Sequence, residues 1–122
     1  MKLMPLLLSE EQDGQQVRLR LFVDSTLTHF SGHFPNQPIL PGIVQTDWAV
    51  RFGERYFDLP RQNFSQIKGL KFSSPVLPET ELTLELRWDQ DKAQLEFSFH
   101  AGQRPCSSGK IVFTKHDARA TK

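Results

Sequence analysis

The segment Gly32-His33-Phe34-Pro35-Asn36-Gln37-Pro38-Ile39-Leu40-Pro41-Gly42 is the most distinctive part of this 122-residue chain. It lies within the range Thr28 to Gly42, which holds three prolines, two glycines and two histidines. Proline removes a backbone donor and fixes φ, so this range can continue neither a helix nor a sheet ladder. We therefore expect a loop whose course is fixed by its prolines.

A helix is expected directly after this loop. The segment from Ile43 to Phe57 contains no proline, and Pro60 follows soon after its end. Helical spacing brings Ile43, Asp47 and Val50 near one another on one surface. The apolar residues of the segment spread around much of the circumference, which predicts a helix surrounded by protein. They are Val44, Trp48, Ala49, Phe52, Tyr56 and Phe57.

Most of the remaining sequence is typical of strands. Apolar and polar residues alternate from Val17 to Val23, and Asp13-Gly14 before this segment favours a hairpin turn. The other candidate strands are Leu6–Leu8, Gln66–Phe72, Leu82–Trp88, Leu95–Phe99 and Lys110–Lys115. Several antiparallel strands with one largely apolar helix predict an α+β fold over a single domain, residues 1–122, in which a curved antiparallel sheet wraps the helix.

Composition excludes several classes of protein. Fifteen Lys and Arg against fourteen Asp and Glu give a formal charge of +1, so a nucleic-acid partner has no support. The single Cys106 cannot form an intrachain disulfide, suits a reducing cytoplasm, and is expected to be buried rather than nucleophilic. No apolar run approaches the ~20 residues that span a bilayer, and Leu3 to Leu8 lacks a signal-peptide cleavage site. We expect a soluble, cytoplasmic protein without membrane insertion.

The segment Gly32–Gly42 resembles the signature of the bacterial 3-hydroxyacyl-acyl-carrier-protein dehydratases of fatty-acid synthesis, which have a hot-dog fold. In that family an acidic residue follows the histidine by fourteen positions, and Asp47 stands fourteen positions after His33. The resemblance continues through Lys71–Pro78 and Ser108–Lys110. It implies that His33 and Asp47 are the catalytic pair.

The finer resemblance points in two directions. An aspartate at position 47 is similar to the decanoyl-type branch, whereas the small size and Trp48-Ala49-Val50 are similar to the stand-alone dehydratases of aryl-polyene clusters. Arg51 departs from the family, which commonly has glutamine four residues after the acid. We therefore expect substrate specificity or the surroundings of the acid to differ here.

The same residues make chemical sense on their own. Dehydration needs a base for the carbon next to the thioester and an acid for the departing hydroxyl, and His33 and Asp47 supply one of each. If Asp47 donates the proton, its apolar helix neighbours must shield it, so partial burial is expected. Otherwise Asp47 orients water or the substrate hydroxyl.

The start of the helix supplies a place for the negative oxygen that forms on the thioester. Backbone N–H groups of Gly42 and Ile43 are free at a helix N-terminus and lie along the helix dipole. Pro41 has no N–H and fixes its own φ. Phe34 and Pro35 are expected to shape the loop or contact substrate, as is Arg51.

Other interpretations of these residues remain open. His29 and His33 are four residues apart, but the glycine and prolines around them argue against the helix that would make a metal site, so no metal is expected. His29 is expected to be structural or to line the entrance, and His100 and His116 to lie on the surface. A hot-dog thioesterase and a catalytically silent acyl-binding domain are the rival functions.

The resemblance also implies an assembly and a partner. Two subunits would pair their sheets into a homodimer, with His33 from one subunit and Asp47 from the other in each active site. The substrate would be carried on the phosphopantetheine arm of acyl carrier protein, and no cofactor would be needed.

Overall fold

The computed structural model describes residues 2–30 and 38–114. These residues form one sheet of six strands in the order β1-β2-β4-β5-β6-β3, and every neighbouring pair is antiparallel. The strands are β1 (Leu6–Asp13), β2 (Gln16–Val23), β3 (Phe64–Phe72), β4 (Thr80–Asp89), β5 (Gln94–Ala101) and β6 (Arg104–Phe113). One α-helix, α1 (Gly42–Tyr56), and two 3₁₀ turns, Thr28–Phe30 and Arg61–Asn63, complete the described chain.

The predicted hairpin at the start of the chain is confirmed. Gly14 has a φ of +61°, the left-handed conformation that a tight hairpin turn requires. In β2 the apolar residues point into the core and the two arginines between them are exposed. Arg18 and Arg20 form cross-strand ion pairs with Glu85 and Glu81 of β4 on the outer face of the sheet. The alternation in the sequence therefore identified the buried face correctly.

The predicted helix and later strands are also confirmed, with changed bounds. The helix starts at Gly42 rather than Ile43, and β3 starts at Phe64 rather than Gln66. The strand β6 begins at Arg104, well before the predicted Lys110, because its first half is small and polar yet pairs with β5. The predicted end at Lys115 lies outside the described residues. The architecture is the α+β hot-dog arrangement that was expected.

The helix packs on the concave face of the sheet through one side only. Trp48, Ala49 and Phe52 are buried there, and they join the core side chains of β2, β4 and β5. The opposite side, which includes Ile43 and Asp47, is exposed. The prediction of a helix surrounded by protein is therefore wrong for the single chain, because the sheet covers only the side that faces it.

Gly53 marks the closest approach of the helix to the sheet. A Cβ atom at this position would lie 2.8 Å from Cδ2 of Leu95 and 3.2 Å from Cδ1 of Leu59. Leu95 is fully buried, so its side chain has no free space to move into. We expect Gly53→Ala to lower the free energy of unfolding by roughly 1–3 kcal/mol through overpacking, despite the better helix propensity of alanine. Urea denaturation measures this change in the free energy of unfolding. Gly102→Ala is the control for backbone strain without core overpacking, because Gly102 lies at an exposed turn with a φ of +63°.

Candidate active site

The turn that begins α1 has no side-chain cap. Pro41 occupies the N-cap position with φ −59° and ψ 146°, and no side chain hydrogen-bonds to the cap. The carbonyl of Pro41 accepts the N–H groups of Val44 and Gln45 at 3.1 and 3.3 Å. Within residues 2–30 and 38–114, the N–H groups of Gly42 and Ile43 have no hydrogen-bond partner. Two donors at the positive end of the helix dipole are thus available to a ligand.

The absence of a side chain at Gly42 leaves room for the ring of Phe72 at the start of the helix. A Cβ atom here would lie 2.5 Å from two ring atoms of Phe72, on strand β3. The phenyl ring therefore packs directly on the first residue of the helix.

Asp47 lies about one turn along the exposed side of the helix. Its carboxylate Oδ2 accepts a hydrogen bond from Nε of Arg51 at 2.7 Å, and 46% of the Asp47 side chain is exposed. The hydrogen bond and charge of Asp47 raise the pKa of the Arg51 guanidinium. The prediction that apolar neighbours partly bury Asp47 is wrong for the single chain. Trp48 and Phe52 point toward the sheet, so they do not shield it.

An apolar surface surrounds this part of the helix. Ile43 is 77% exposed, and Phe72, whose ring lies at Gly42, is 54% exposed. Ile39 and Leu70 add to the exposed apolar area. An uncovered apolar surface next to free N–H groups and a carboxylate is the expected character of a binding surface.

The backbone carbonyl of Leu3 contacts both the 3₁₀ turn Thr28–Phe30 and the helix α1. The Leu3 carbonyl accepts a hydrogen bond from Nε1 of Trp48 at 3.1 Å and lies 3.0 Å from Nε2 of His29. The rings of His29 and Trp48 also meet edge to face at 6.1 Å. His29 thus has a structural role, which was one of its two predicted roles. Nothing in the local sequence indicated that Leu3 would be its partner.

Two buried polar atoms were not anticipated from the sequence. The Oε1 atom of Gln45 and the Oγ atom of Ser107 are buried without a hydrogen-bond partner among the described residues. Gln45 lies on the inward side of α1. Its helical spacing from Trp48 and Ala49 could have indicated from the sequence that this polar residue is buried. Ser107 lies on β6, where it pairs with Phe72 of β3.

Several predicted site residues lie outside the described residues: His33, Phe34, Pro35 and His116. The roles of the first three therefore stay predictions. His100 is partly buried on β5, and its Nε2 lies 3.1 Å from the Ser98 hydroxyl. Burial raises the pKa of the Cys106 thiol, which disfavours the thiolate and a nucleophilic role. Cys106 is buried, as predicted.

Known proteins with similar sequences are dehydratases. Two curated relatives are 3-hydroxyacyl-[acyl-carrier-protein] dehydratases FabZ. The one from Roseiflexus sp. is 33% identical over 87 residues, which cover 66% of this chain and 61% of the relative. The one from Roseiflexus castenholzii is 32% identical over 120 residues, which cover 90% of this chain and 83% of the relative. The chain thus spans about three fifths of one relative and most of the other.

Solved structures extend the likeness to the fold. The dehydratase heterocomplex ApeI:P from Xenorhabdus doucetiae contains a chain 37% identical to this one, with a TM-score of 0.83 and coverage of 94% of this chain and 100% of that chain. The dehydratase domain of PpsC from Mycobacterium tuberculosis has a TM-score of 0.67 at 19% identity, over 93% of this chain and 46% of that one, and supports the fold alone.

The family-level match covers most of the chain. The model of the ApeI-like family, described as ApeI dehydratase, matches residues 9–110. This range contains strands β2 to β5, the helix with Asp47, and most of β1 and β6. It also contains the segment Gly32–Gly42. This protein therefore belongs to the ApeI-like dehydratase family.

Proposed function

We propose that this protein removes water from 3-hydroxyacyl thioesters carried on acyl carrier protein and forms trans-2-enoyl thioesters, in fatty-acid or polyene-type biosynthesis. The observation that carries the proposal is on helix α1, where free N–H groups at Gly42 and Ile43 precede the exposed carboxylate of Asp47 by about one turn. The family membership and the motif around His33 support the same reaction.

In the proposed mechanism, neutral His33 takes the proton from the carbon next to the thioester. The electron pair moves onto the thioester oxygen, which accepts hydrogen bonds from the N–H groups of Gly42 and Ile43. As the C–O bond at the 3-position breaks, Asp47 gives a proton to the hydroxyl, which leaves as water, and the new double bond forms. The proton held by His33 then returns through solvent to Asp47.

This chemistry needs no redox cofactor. One proton and one hydroxyl leave as water, and the protein is neither oxidised nor reduced. A metal ion is not part of the proposal either, because the N–H groups stabilise the developing charge and Asp47 activates the leaving group. We also infer a single domain and a location in the cytoplasm, in keeping with the single, buried Cys106.

The exposed edge of the sheet supports a homodimer. The strand β3 ends the sheet and its outer edge has no partner strand among the described residues. Apolar side chains on its inner side are exposed: Phe64, Ile67, Leu70 and Phe72. An unpaired edge beside an exposed apolar surface is covered when a second strand pairs with it. We propose that β3 of a second copy does so, and that each active site combines His33 of one subunit with Asp47 of the other.

The proposed function is tested by weighing the products. With a 3-hydroxyacyl-carrier-protein substrate, the protein is expected to produce a species lighter by one water, about 18 Da, in which the thioester is intact. His33→Ala should lack this activity, whereas His100→Ala, on the outer face of the sheet, should retain it. Release of free acid without an enoyl product would support the thioesterase instead, and binding without turnover would support the silent acyl-binding domain.

A further inference from the structure

Gln45 is a polar residue in a place where an apolar one would fit. Its side chain is only 3% exposed and lies on the side of α1 that packs against the sheet. Its Nε2 donates a hydrogen bond to the Leu40 carbonyl at 3.3 Å, while its Oε1 is buried without a partner among the described residues. The opposite assignment of the amide would bring Oε1 against the Leu40 oxygen, so the hydrogen bond fixes the orientation.

The hydrogen bonding of the Gln45 amide adds little to the stability of the fold. A buried hydrogen bond contributes modestly, whereas a buried acceptor without a partner is destabilising. The loss at Oε1 offsets the gain at Nε2. An apolar side chain of the same length would fill the same space without the unpaired oxygen.

The position of the amide gives Gln45 a different role. Leu40 is anchored on both sides, since its N–H donates to the Val76 carbonyl at 2.8 Å and its carbonyl accepts from Gln45. Pro41 and Gly42 follow at once, and no side chain caps them. The direction of the free N–H groups at the helix start therefore depends on how firmly Leu40 is held.

We propose that Gln45 is a positioning residue for the dehydration reaction: it holds the turn Leu40–Gly42 from inside the core and so aims the N–H groups of Gly42 and Ile43 at the thioester oxygen. This inference rests on the proposed function. Without the amide, the Leu40 carbonyl turns toward another donor and the helix start shifts with it. Small displacements of this kind have large effects, because an oxyanion donor acts only from the correct place.

The test compares Gln45→Met with the wild type in both stability and kinetics. Methionine has a similar length and no unpaired oxygen, so the midpoint of urea unfolding is expected to stay unchanged or rise. At the same time kcat is expected to fall by about 10- to 100-fold, with KM within about threefold because the acyl-binding surface is intact. Ser107→Ala is the matched control, since it removes the other unpaired buried polar atom but does not contact Leu40, and it should keep kcat.

Each outcome decides the matter. If the wild type dehydrates the substrate and Gln45→Met has the same kcat, the positioning role is overturned while the proposed function stands. If the variant loses stability and kcat together, and Gln45→Leu does the same, Gln45 has a structural role and the inference is also overturned. If the wild type itself does not dehydrate 3-hydroxyacyl thioesters, the proposed function has failed.

Discussion

Replacing His33 with alanine is expected to lower kcat for dehydration by at least about a hundredfold, and by up to about ten-thousandfold. The reaction cannot begin until the proton next to the thioester is removed, and neither of the two histidines in residues 2–30 and 38–114 is placed to do this. His29 is held by the Leu3 carbonyl, and His100 is on strand β5 beside Ser98. Steady-state kinetics on a 3-hydroxyacyl-carrier substrate measure the loss. His29→Gln, which can still donate to Leu3, is the control and should retain most of the activity.

The same variant tests whether the active site is shared between subunits. His33→Ala and Asp47→Ala are each expected to be inactive, but a dimer containing one of each has one site with both wild-type residues. After full exchange half of the dimers are mixed, so about a quarter of the wild-type activity should return. Native mass spectrometry must confirm the mixed dimer. If exchanged dimers stay inactive while both parents remain folded, His33 and Asp47 act within one chain.

The fold could be predicted from the sequence because the patterns that indicate its strands and turns are local and periodic. The alternation from Val17 to Val23 identifies a half-buried strand without reference to its partners, and Asp13-Gly14 marks the turn. The start of β6 could not be predicted from the sequence. Its first half, Arg104 to Gly109, lacks large apolar residues, and only its pairing with β5 makes it a strand. Pairing with a distant partner leaves no local pattern.

The candidate site could be predicted only in part, for a related reason. The spacing of His33 and Asp47 is a linear property that a motif records. The exposure of Asp47 is not a linear property. It depends on which side of the helix the sheet covers and on whether a second subunit covers the other side. The contacts of Leu3 with His29 and Trp48 join residues far apart in the chain, so no spacing rule predicts them. The role of Arg51 as the partner of Asp47 follows from helical i, i+4 spacing. From the sequence alone, Arg51 is instead interpreted as a departure from the family and as a residue that shapes the loop or contacts substrate.

The environment of Asp47 bears on its proposed role. In the single chain its carboxylate is exposed and bound to Arg51, an arrangement in which it accepts a hydrogen bond rather than donates a proton. The exposed apolar side chains of Ile43 and Phe72 belong to the surface that the proposed homodimer would cover. A second subunit over this surface would remove water from Asp47 and strengthen its interaction with the substrate hydroxyl.

Asp47→Asn separates proton donation from positioning. Asparagine keeps the size and can still hydrogen-bond the substrate hydroxyl, but it cannot supply a proton. If Asp47 is the acid, kcat should fall by at least about a hundredfold, whereas loss of a positioning hydrogen bond of roughly 1 kcal/mol lowers it only several-fold. Stopped-flow or steady-state dehydration kinetics, with folding checked by circular dichroism, provide the comparison.

Arg51→Gln is the control for this experiment, because it removes the ion pair and leaves the carboxyl group in place. Both side chains of this ion pair are about half exposed, so removing the pair should leave the midpoint of urea unfolding unchanged. Its kcat should stay within about tenfold of the wild type, since the proton donor is intact. An Asp47→Asn variant within about tenfold of the wild type would count against the general-acid role, because His33 would then have to carry both proton transfers.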